Sequence, residues 1–562
     1  MYGFYIYFSH LPLNSEISER YDYTITFGNY FFNYIKFNKF ENDRFFLETE
    51  NYILGLDGVI LNLQDLKKQY AISSFPKLIV SLFEKENTNF ISKLKGEFSG
   101  FIFEKKSQQL YFYNNKTATK QVFYSQFKES FVIAPTLEAI SKARTENNVK
   151  NSLNINATYN LLTFGGMIEN QTLVSEIYKL GGGEYLVFKD DILTTSRYYD
   201  FNKVPITINT KKKAVAQINE VFIDALHLEY QKDEEYNYNS IATLSGGLDS
   251  RMNVMLAQKL GYKSTTFCFS QSNYADETIA RKIANDLNLD FKFIPLDDGD
   301  YLKNLSQMVS INNGLQFYHG SAHYNFALQQ LDLSNYGLIH TGQIGDGILG
   351  GFVSTTKEKD FLSQTISKRF IDKVAIDQSL LDSYRDEEVF KLYQRVFNVA
   401  NFGSYMVEHH QTYLVSPFMD TDVIETALSI APNLKYNQDI YIDWMNQLHP
   451  EVTNYIWERT GFKPNKKWKT VASRYTNKIK KEYFIATKQK NKLSMNPLEY
   501  WLESNKSINL FYEQVYNENI ALLQPNMELF TDIKNMFKIG SFNEKALVLT
   551  LLEIIRKLNL HV

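Results

Sequence analysis

The residues Ser240-Ile241-Ala242-Thr243-Leu244-Ser245-Gly246-Gly247-Leu248-Asp249-Ser250 decide how this 562-residue chain is read. A short apolar run ends at Leu244 and a double glycine follows. Residues 249–260 then read as a helix that closes at Gly261, the usual place for glycine just past a helix end. Two consecutive glycines let the backbone approach a bulky anion with no Cβ in the way. The helix that follows aims its first amides, and the positive end of its dipole, at that anion. Ser245 and Ser250 add hydroxyl donors. Asp249 would repel a phosphate unless a cation lay between them, so the motif predicts a bridging Mg²⁺. The lysine of the common phosphate loop is absent. A plain strand-to-helix turn capped by a serine or aspartate is the bland alternative. At one in twenty per position, however, five fixed residues arise by chance in a chain this long with odds on the order of 10⁻⁴.

Outward from this motif the alternation continues. A helix is predicted over 213–228, a strand over 265–270, a helix over 276–287 and a strand over 290–296. A further strand over 337–341 enters a second glycine-containing turn. Such alternation predicts an α/β unit, a parallel sheet with helices on its faces, and beyond about residue 360 mainly helical additions ending in 544–558. The first 200 residues differ. Runs of β-branched and aromatic residues recur at 2–8, 23–27, 52–61, 98–103, 110–113, 121–124 and 131–133, with helical patterns near 75–84 and 157–163. This predicts an α+β sandwich. The stretch 198–213 has a proline and a basic run but no amphipathic period, so the domains are expected at 1–200 and 211–562.

With 60 Lys and Arg against 63 Asp and Glu, the net charge of −3 gives no electrostatic case for nucleic acid. The single cysteine, Cys268, forbids an intramolecular disulfide, fits a reducing compartment and reads as an inert core thiol. No run of 18 apolar residues and no signal-peptide pattern is present, so a cytoplasmic chain without a membrane partner is expected.

Several further segments follow the motif in a fixed order: Ser270-Gln271-Ser272-Asn273-Tyr274-Ala275-Asp276-Glu277, Thr341-Gly342-Gln343-Ile344-Gly345-Asp346-Gly347 with Gly350-Gly351, and Ser416-Pro417-Phe418-Met419-Asp420. In this arrangement the chain resembles the asparagine synthetase family, which includes β-lactam synthetases and lasso-peptide cyclases. Residues 94–103 and 114–125 resemble its class II glutamine amidotransferase domain, an Ntn-hydrolase-like sandwich. The resemblance implies ATP and Mg²⁺ as cofactors. Ser245, Gly246, Gly247 and Ser250 would hold pyrophosphate, Asp249 and Asp346 the metal, and the backbone near Leu244, Phe269 and Gly342 AMP. It also implies an AMP-forming ligase that adenylates a carboxylate and passes the acyl group to ammonia or an amine.

The departures from that family matter as much. Tyr2 stands where the family's nucleophilic cysteine belongs, and no Cys, Ser or Thr precedes Ser9, so a degenerate amidotransferase half without glutaminase activity is expected. Gln343 replaces an acidic residue, and an amide cannot take a proton at neutral pH, so an orienting role is expected there. The position of the family's transition-state lysine aligns with Thr460, leaving Arg459 or Lys463 to supply the positive charge. The carboxylate is left as a small molecule, glycan or peptide, which allows a glycan or natural-product tailoring role, and a homodimer is left open. An intramolecular lactam or lasso cyclase is a second reading. A non-catalytic nucleotide-binding scaffold, motivated by Gln343 and the lost cysteine, is a third. The basic stretch 463–492 reads either as an anion-gathering lid or as a solvated helix face, and His409-His410 as ordinary helix residues.

Overall fold

A computed structural model describes residues 1–9, 21–353, 365–465, 487 and 494–562, so most of the basic stretch 463–492 lies outside the described residues. The first part of the chain supplies twelve strands in order: β1 (Gly3–Ser9), β2 (Tyr23–Phe27), β3 (Tyr30–Ile35), β4 (Phe45–Glu48), β5 (Tyr52–Ile60), β6 (Gly96–Glu104), β7 (Gln109–Asn114), β8 (Phe123–Phe127), β9 (Ser130–Ala134), β10 (Tyr178–Lys179), β11 (Glu184–Lys189) and β12 (Ile192–Arg197). They form two six-stranded sheets, ordered β10-β8-β9-β1-β3-β2 and β12-β11-β7-β6-β5-β4.

Period-two alternation explains the sandwich. Phe4, Ile6 and Phe8 of β1, Phe101 and Phe103 of β6, Leu110 and Phe112 of β7, and Phe131 and Ile133 of β9 all enter one core between the sheets. The intervening residues of β1 and β9, Tyr7 and Val132, face the opposite way. There they meet helices α3 (Leu137–Glu146) and α4 (Ile155–Phe164). On the other outer face Leu56, Phe98 and Ile102 are covered by α1 (Leu63–Tyr70) and α2 (Phe75–Glu86). At about 1.5–3 kcal/mol per fully buried large apolar side chain, these aromatic layers carry most of the sandwich's stability.

Helix α5 (Lys211–Glu235) opens the second part, with Thr210 as its cap. Strands β13 (Asn239–Thr243), β14 (Ser264–Ser270), β15 (Phe291–Pro295), β16 (Tyr336–His340) and β17 (Leu414–Val415) form a parallel sheet ordered β15-β14-β13-β16-β17. Helix α6 (Leu248–Lys259) follows β13 and α7 (Ala275–Asp286) follows β14. The strand order reverses direction between β14 and β16 on either side of β13, so a crevice opens at the carboxyl end of β13, where ligands bind in such sheets. The helix Phe542–Leu558 starts with a Ser541/Glu544 capping box and is almost wholly buried, in a core that also contains Leu137 and Leu161 of the first part.

Four differences from the sequence expectation have local causes. The strand expected at 121–124 begins instead at Phe123, because Lys120 and Gln121 are buried as polar side chains at the junction between the two parts. Strand β3 pairs with β2 across the two-residue turn Gly28-Asn29, with Gly28 at φ 56°, a hairpin signal that the aromatic run around it obscures. Strand β17 is two residues long, too short for any periodicity. Helix α5 extends to Glu235, well past 228, because its last turns carry Glu229, Lys232 and Asp233 into the interior.

That interior holds a charged cluster beneath the second glycine turn. His340, the last residue of β16, is stacked on Tyr230 at 3.9 Å, with its Nε2 2.8 Å from Asp233 Oδ2 and its Nδ1 3.5 Å from Glu229 Oε2. Asp233 also accepts from Ser240 Oγ at 2.7 Å and from the Leu338 amide at 2.8 Å. Burial alone would lower the His340 pKa, but Asp233 and Glu229 outweigh it and push it up to about 9. Burial raises Glu229 to about 7. Both groups therefore hold protons in the folded state that the unfolded chain releases, so stability falls as pH rises. The Glu229 contribution is complete below its unfolded value of 4.5 and lost through about 7; the His340 contribution is complete below 6.5 and lost through about 9. We expect Tm to drop between pH 7 and 9 in the wild type and to drop less in His340→Gln. Thermal melts across that range check it, and equal slopes would refute it.

Candidate functional site

The first loop is held by its own side chains. Ser250 Oγ accepts from the Ser245 amide at 3.0 Å and lies 3.0 Å from Ser245 Oγ, which in turn accepts from the Gly247 amide at 3.1 Å. The Gly246 amide donates to Asp276 Oδ1 at 2.7 Å, so this amide is already engaged. Asp276 is raised to about 7, first by burial and then by the neighbouring Glu458 charge. Arg251, wholly buried one residue beyond the motif, donates to the carbonyls of Gly246 (2.9 Å), Ile456 (2.7 Å), Val452 (3.1 Å) and Tyr455 (3.4 Å).

The second loop seats directly on the first. A Cβ at Gly342 would lie 2.2 Å from the Asp249 carbonyl carbon and 2.3 Å from the Ser250 nitrogen, so only glycine lets the two backbones meet. Ile344 stands at φ 67°, a region that costs a β-branched residue free energy and is populated only where the surroundings impose it. They do impose it. Asn253 Nδ2 donates to Thr341 O (2.6 Å), Ser416 Oγ to Gln343 O (3.1 Å) and Gln438 Nε2 to Asp346 O (3.1 Å). The Asp346 amide donates to Asp249 Oδ2 at 3.0 Å, and Tyr441 donates its hydroxyl proton to Asp249 Oδ1 at 2.8 Å. Burial, and then the Asp346 charge, raise Asp249 to about 8.

A third segment, following Trp457, closes the rim. The Glu458 amide donates to Gly246 O at 3.1 Å, and the Tyr274 hydroxyl donates to the Glu458 carboxylate. Arg459 places NH1 3.9 Å from Asp346 Oδ2, both side chains about half exposed. Thr460 is buried, with its hydroxyl donating to Phe462 O at 3.2 Å, and so presents no group to the crevice.

Together these segments enclose a cavity of about 620 Å³. Of the residues singled out from sequence, Leu244, Ser245, Gly247, Asp249, Ser250, Phe269, Gly342, Gln343, Asp346 and Arg459 line it. Gly246 sits behind the lining, engaged as above, and Lys463 is exposed outside it. His409 and His410 are not on the wall, and Cys268 lines it while staying buried, with burial raising its thiol pKa. Sequence reasoning missed Arg251, Phe317, Val399 and Phe402. Arg251 directly follows the motif and was within reach; the others come from segments with no motif, and only tertiary packing brings them to the crevice.

Two family models match the chain: a glutamine amidotransferase domain over 21–199 and asparagine synthase over 217–412. Asparagine synthetase [glutamine-hydrolyzing] 1 of Bacillus subtilis is 20% identical over 47% of this chain and 42% of its own length. Amidase chry2 of Gibberella zeae is 21% identical over 40% of this chain and 35% of its own length. The chain thus spans less than half the length of these relatives. Among solved structures, the glutamine phosphoribosylpyrophosphate amidotransferase from B. subtilis matches with a TM-score of 0.22 at 11% identity, over 44% of this chain and 53% of that one, a score at which the likeness carries no argument.

Gly342→Ala tests the seating of the two loops. The added methyl meets backbone atoms on the Asp249 side that cannot move away, so the second loop must lift. We expect Tm to fall by an amount equivalent to about 1–3 kcal/mol, and ATP affinity by tenfold or more. Calorimetric titration of both proteins with ATP is the check; an unchanged affinity would show that the contact is incidental to nucleotide binding.

Proposed function

The chain has the two-domain architecture of the asparagine synthetase family, and from that premise we propose that it is an AMP-forming ligase joining a carboxylate to ammonia or an amine. The observation that carries this reading is the seating of the Gly342–Asp346 turn on the Asp249–Ser250 backbone, which brings two carboxylates and a ring of small donors to one end of a large cavity. In the first step a carboxylate oxygen of the substrate attacks the α-phosphorus of ATP, the bond to the bridging oxygen breaks, and pyrophosphate leaves. In the second, the amine nitrogen attacks the acyl carbon, the bond to AMP breaks, and a proton is lost to solvent.

The roles of this chain's residues follow from their chemistry. Ser245, Ser250 and the Gly247 amide, bonded to one another around a small circuit, would turn outward to the pyrophosphate. Arg459, on the rim beside Asp346, would stabilise charge on the departing phosphates better than Lys463, which points elsewhere. Gln343 would orient the adenylate by hydrogen bonds and take no proton. Asp249 and Asp346 fit a magnesium site: the Asp346 amide reaches Asp249 Oδ2 at 3.0 Å, and burial, followed by the Asp346 charge, raises Asp249 to about 8. Two carboxylates alone would leave the remaining positions of such an ion to phosphate and water. When bound, the ion would offset the charge gathering on pyrophosphate.

The nitrogen is proposed to come from solution or from an acceptor amine and not from glutamine. The space around Tyr2, bordered by Gly3, Phe4, Lys120 and Glu408, is about 10 Å³, room for about one water, and Tyr2 packs edge-on against Phe37. Purified protein incubated with glutamine should release no glutamate above the background rate; steady release would overturn this part of the reading.

The ligase reading itself is tested by carboxylate-dependent pyrophosphate release. Wild type should release it, and Asp249→Asn, which keeps shape and removes charge, should be slower by about 10²-fold or more. A silent wild type beside an active Gln343→Glu would mean that the site has lost its base and that this chain is not a working ligase.

A further inference from the structure

The cavity is divided by charge. At one end Asp249, Asp276, Asp346, Glu458 and Arg459 surround the two glycine loops. A second part of the lining is formed by Gln316 and Phe317 together with Val399, Ala400 and Phe402. Gln316 Nε2 joins these two segments by donating to Asn398 O at 2.7 Å, and Phe317 and Val399 both pack where a Cβ on Gly165 or Gly166 would sit, at 2.6 and 2.9 Å. Gln343 connects this wall to the second loop, because its amide nitrogen lies 2.6 Å from where a Cβ of Gly403 would be. The wall therefore stands beside the loop that faces the acyl group in the proposed reaction, whereas on the β14 side Tyr324 stacks on Phe269 at 5.5 Å and His323 meets the same ring at a tilt at 5.6 Å.

None of these five lining residues carries a charge. Two cations that bond to residues beside this wall are occupied by other acceptors. Lys179 Nζ donates to Phe397 O at 2.9 Å and to Asn398 Oδ1 at 3.2 Å, and Arg395 NH1 donates to Phe164 O at 3.1 Å. His319, whose ring lies 4.7 Å from that of Phe317, is lowered to about 3 and His323 to about 4, chiefly by burial, so both are neutral at pH 7. An amino-acid substrate such as aspartate would carry an ammonium and a second carboxylate into this region with no counter-charge among the described residues. Burying charges unpaired is far costlier than burying a ring or a branched chain, whereas Gln316, Gln343 and Ser321 offer only neutral hydrogen bonds.

Resting on the ligase reading above, we propose that the carboxylate substrate has an uncharged, largely apolar body, as an aromatic or branched aliphatic monocarboxylate does, and is not an amino acid of the aspartate type. The uncharged wall formed by Phe317, Val399, Ala400 and Phe402 beside Gln343 is the specificity-determining surface.

Stable mimics of the acyl-adenylate test this without turnover. Full-length protein is titrated calorimetrically with three compounds: 5′-O-sulfamoyladenosine, its N-phenylacetyl derivative and its N-(β-aspartyl) derivative. We expect the phenylacetyl compound to bind at least tenfold more tightly than both the parent and the aspartyl compound. An aspartyl compound binding as tightly as the phenylacetyl one, or more so, overturns the proposal while leaving the ligase reading in place. If the parent and both derivatives fail to bind, and ATP does not bind either, the ligase reading falls and takes the proposal with it. Val399→Lys supplies a cation to the wall. The ratio of the two acyl affinities, measured within the variant so that any loss of folded protein cancels, should move toward the aspartyl compound by tenfold or more. An unmoved ratio would show that this wall does not select the acyl group.

Discussion

A buried guanidinium organises the crevice. Arg251 is fully enclosed, and no carboxylate stands within ion-pair distance among the described residues. Its four acceptors are main-chain carbonyls, one from the first glycine loop and three from Val452, Tyr455 and Ile456. Burial lowers its pKa only to about 10, so it stays charged at neutral pH. A charge in that position makes strong hydrogen bonds because the local dielectric is low. The rim segment that carries Glu458 and Arg459 is therefore fixed to the anion loop through Arg251 as well as through the Glu458 amide on Gly246 O. Lysine could not reproduce this, because its single ammonium lacks the planar fork that reaches four acceptors in two directions.

The second loop shows the same logic in its backbone. Ile344 in the left-handed region is unfavourable locally, and Gly342 leaves no room for a Cβ beside Asp249 and Ser250. Three side chains from separate segments, Asn253, Ser416 and Gln438, hold the loop's carbonyls and so keep the strained geometry. The result is that Asp346 offers its amide to Asp249 while its carboxylate stays at the cavity rim beside Arg459. Strain accepted at the site is offset by hydrogen bonds made behind it.

How much of this was legible in the sequence differs by layer. The parallel sheet and its first two crossover helices were readable because each strand is a short apolar run ended by glycine or a helix cap, and the observed bounds differ from the expected ones by a residue or two. The glycine loops were readable because backbone approach to an anion demands specific residue types at fixed spacing. Much of the sandwich was readable from alternation, but β3 and β4 were hidden in runs where aromatic residues occupy both parities, and β10, β11 and β12 were not anticipated. The far wall of the cavity was not legible. Gln316, Phe317, Val399 and Phe402 look like ordinary core positions, and their role comes from Gln316 bridging to Asn398 and from contacts with Gly165 and Gly166 across long sequence separations. Sequence periodicity reports which face of an element is buried and says nothing about which buried face borders a cavity.

The amidotransferase-like sandwich is bound into the second part by charge as well as by apolar packing. Lys120, at the end of its β7–β8 connection, places its ammonium 2.6 Å from Asp57 in β5 and also against Glu408 in the helix Phe402–His409. Tyr34 donates to the same Asp57 at 2.7 Å, and Arg44 approaches it to 3.9 Å. Burial works against the Lys120 charge, but the two carboxylates outweigh it and hold its pKa above the ordinary lysine value. Removing either carboxylate would leave a buried charge uncompensated, which is costlier than the pair itself is stabilising. Helix Phe402–His409 also begins with Phe402, a wall residue of the cavity, and Asn401 just before it donates to the carbonyls of Thr117 and Ala118 in the sandwich. The helix that bounds the proposed acyl site is thus positioned by residues of the first part. Those contacts give the sandwich a structural part in the site whether or not it hydrolyses anything.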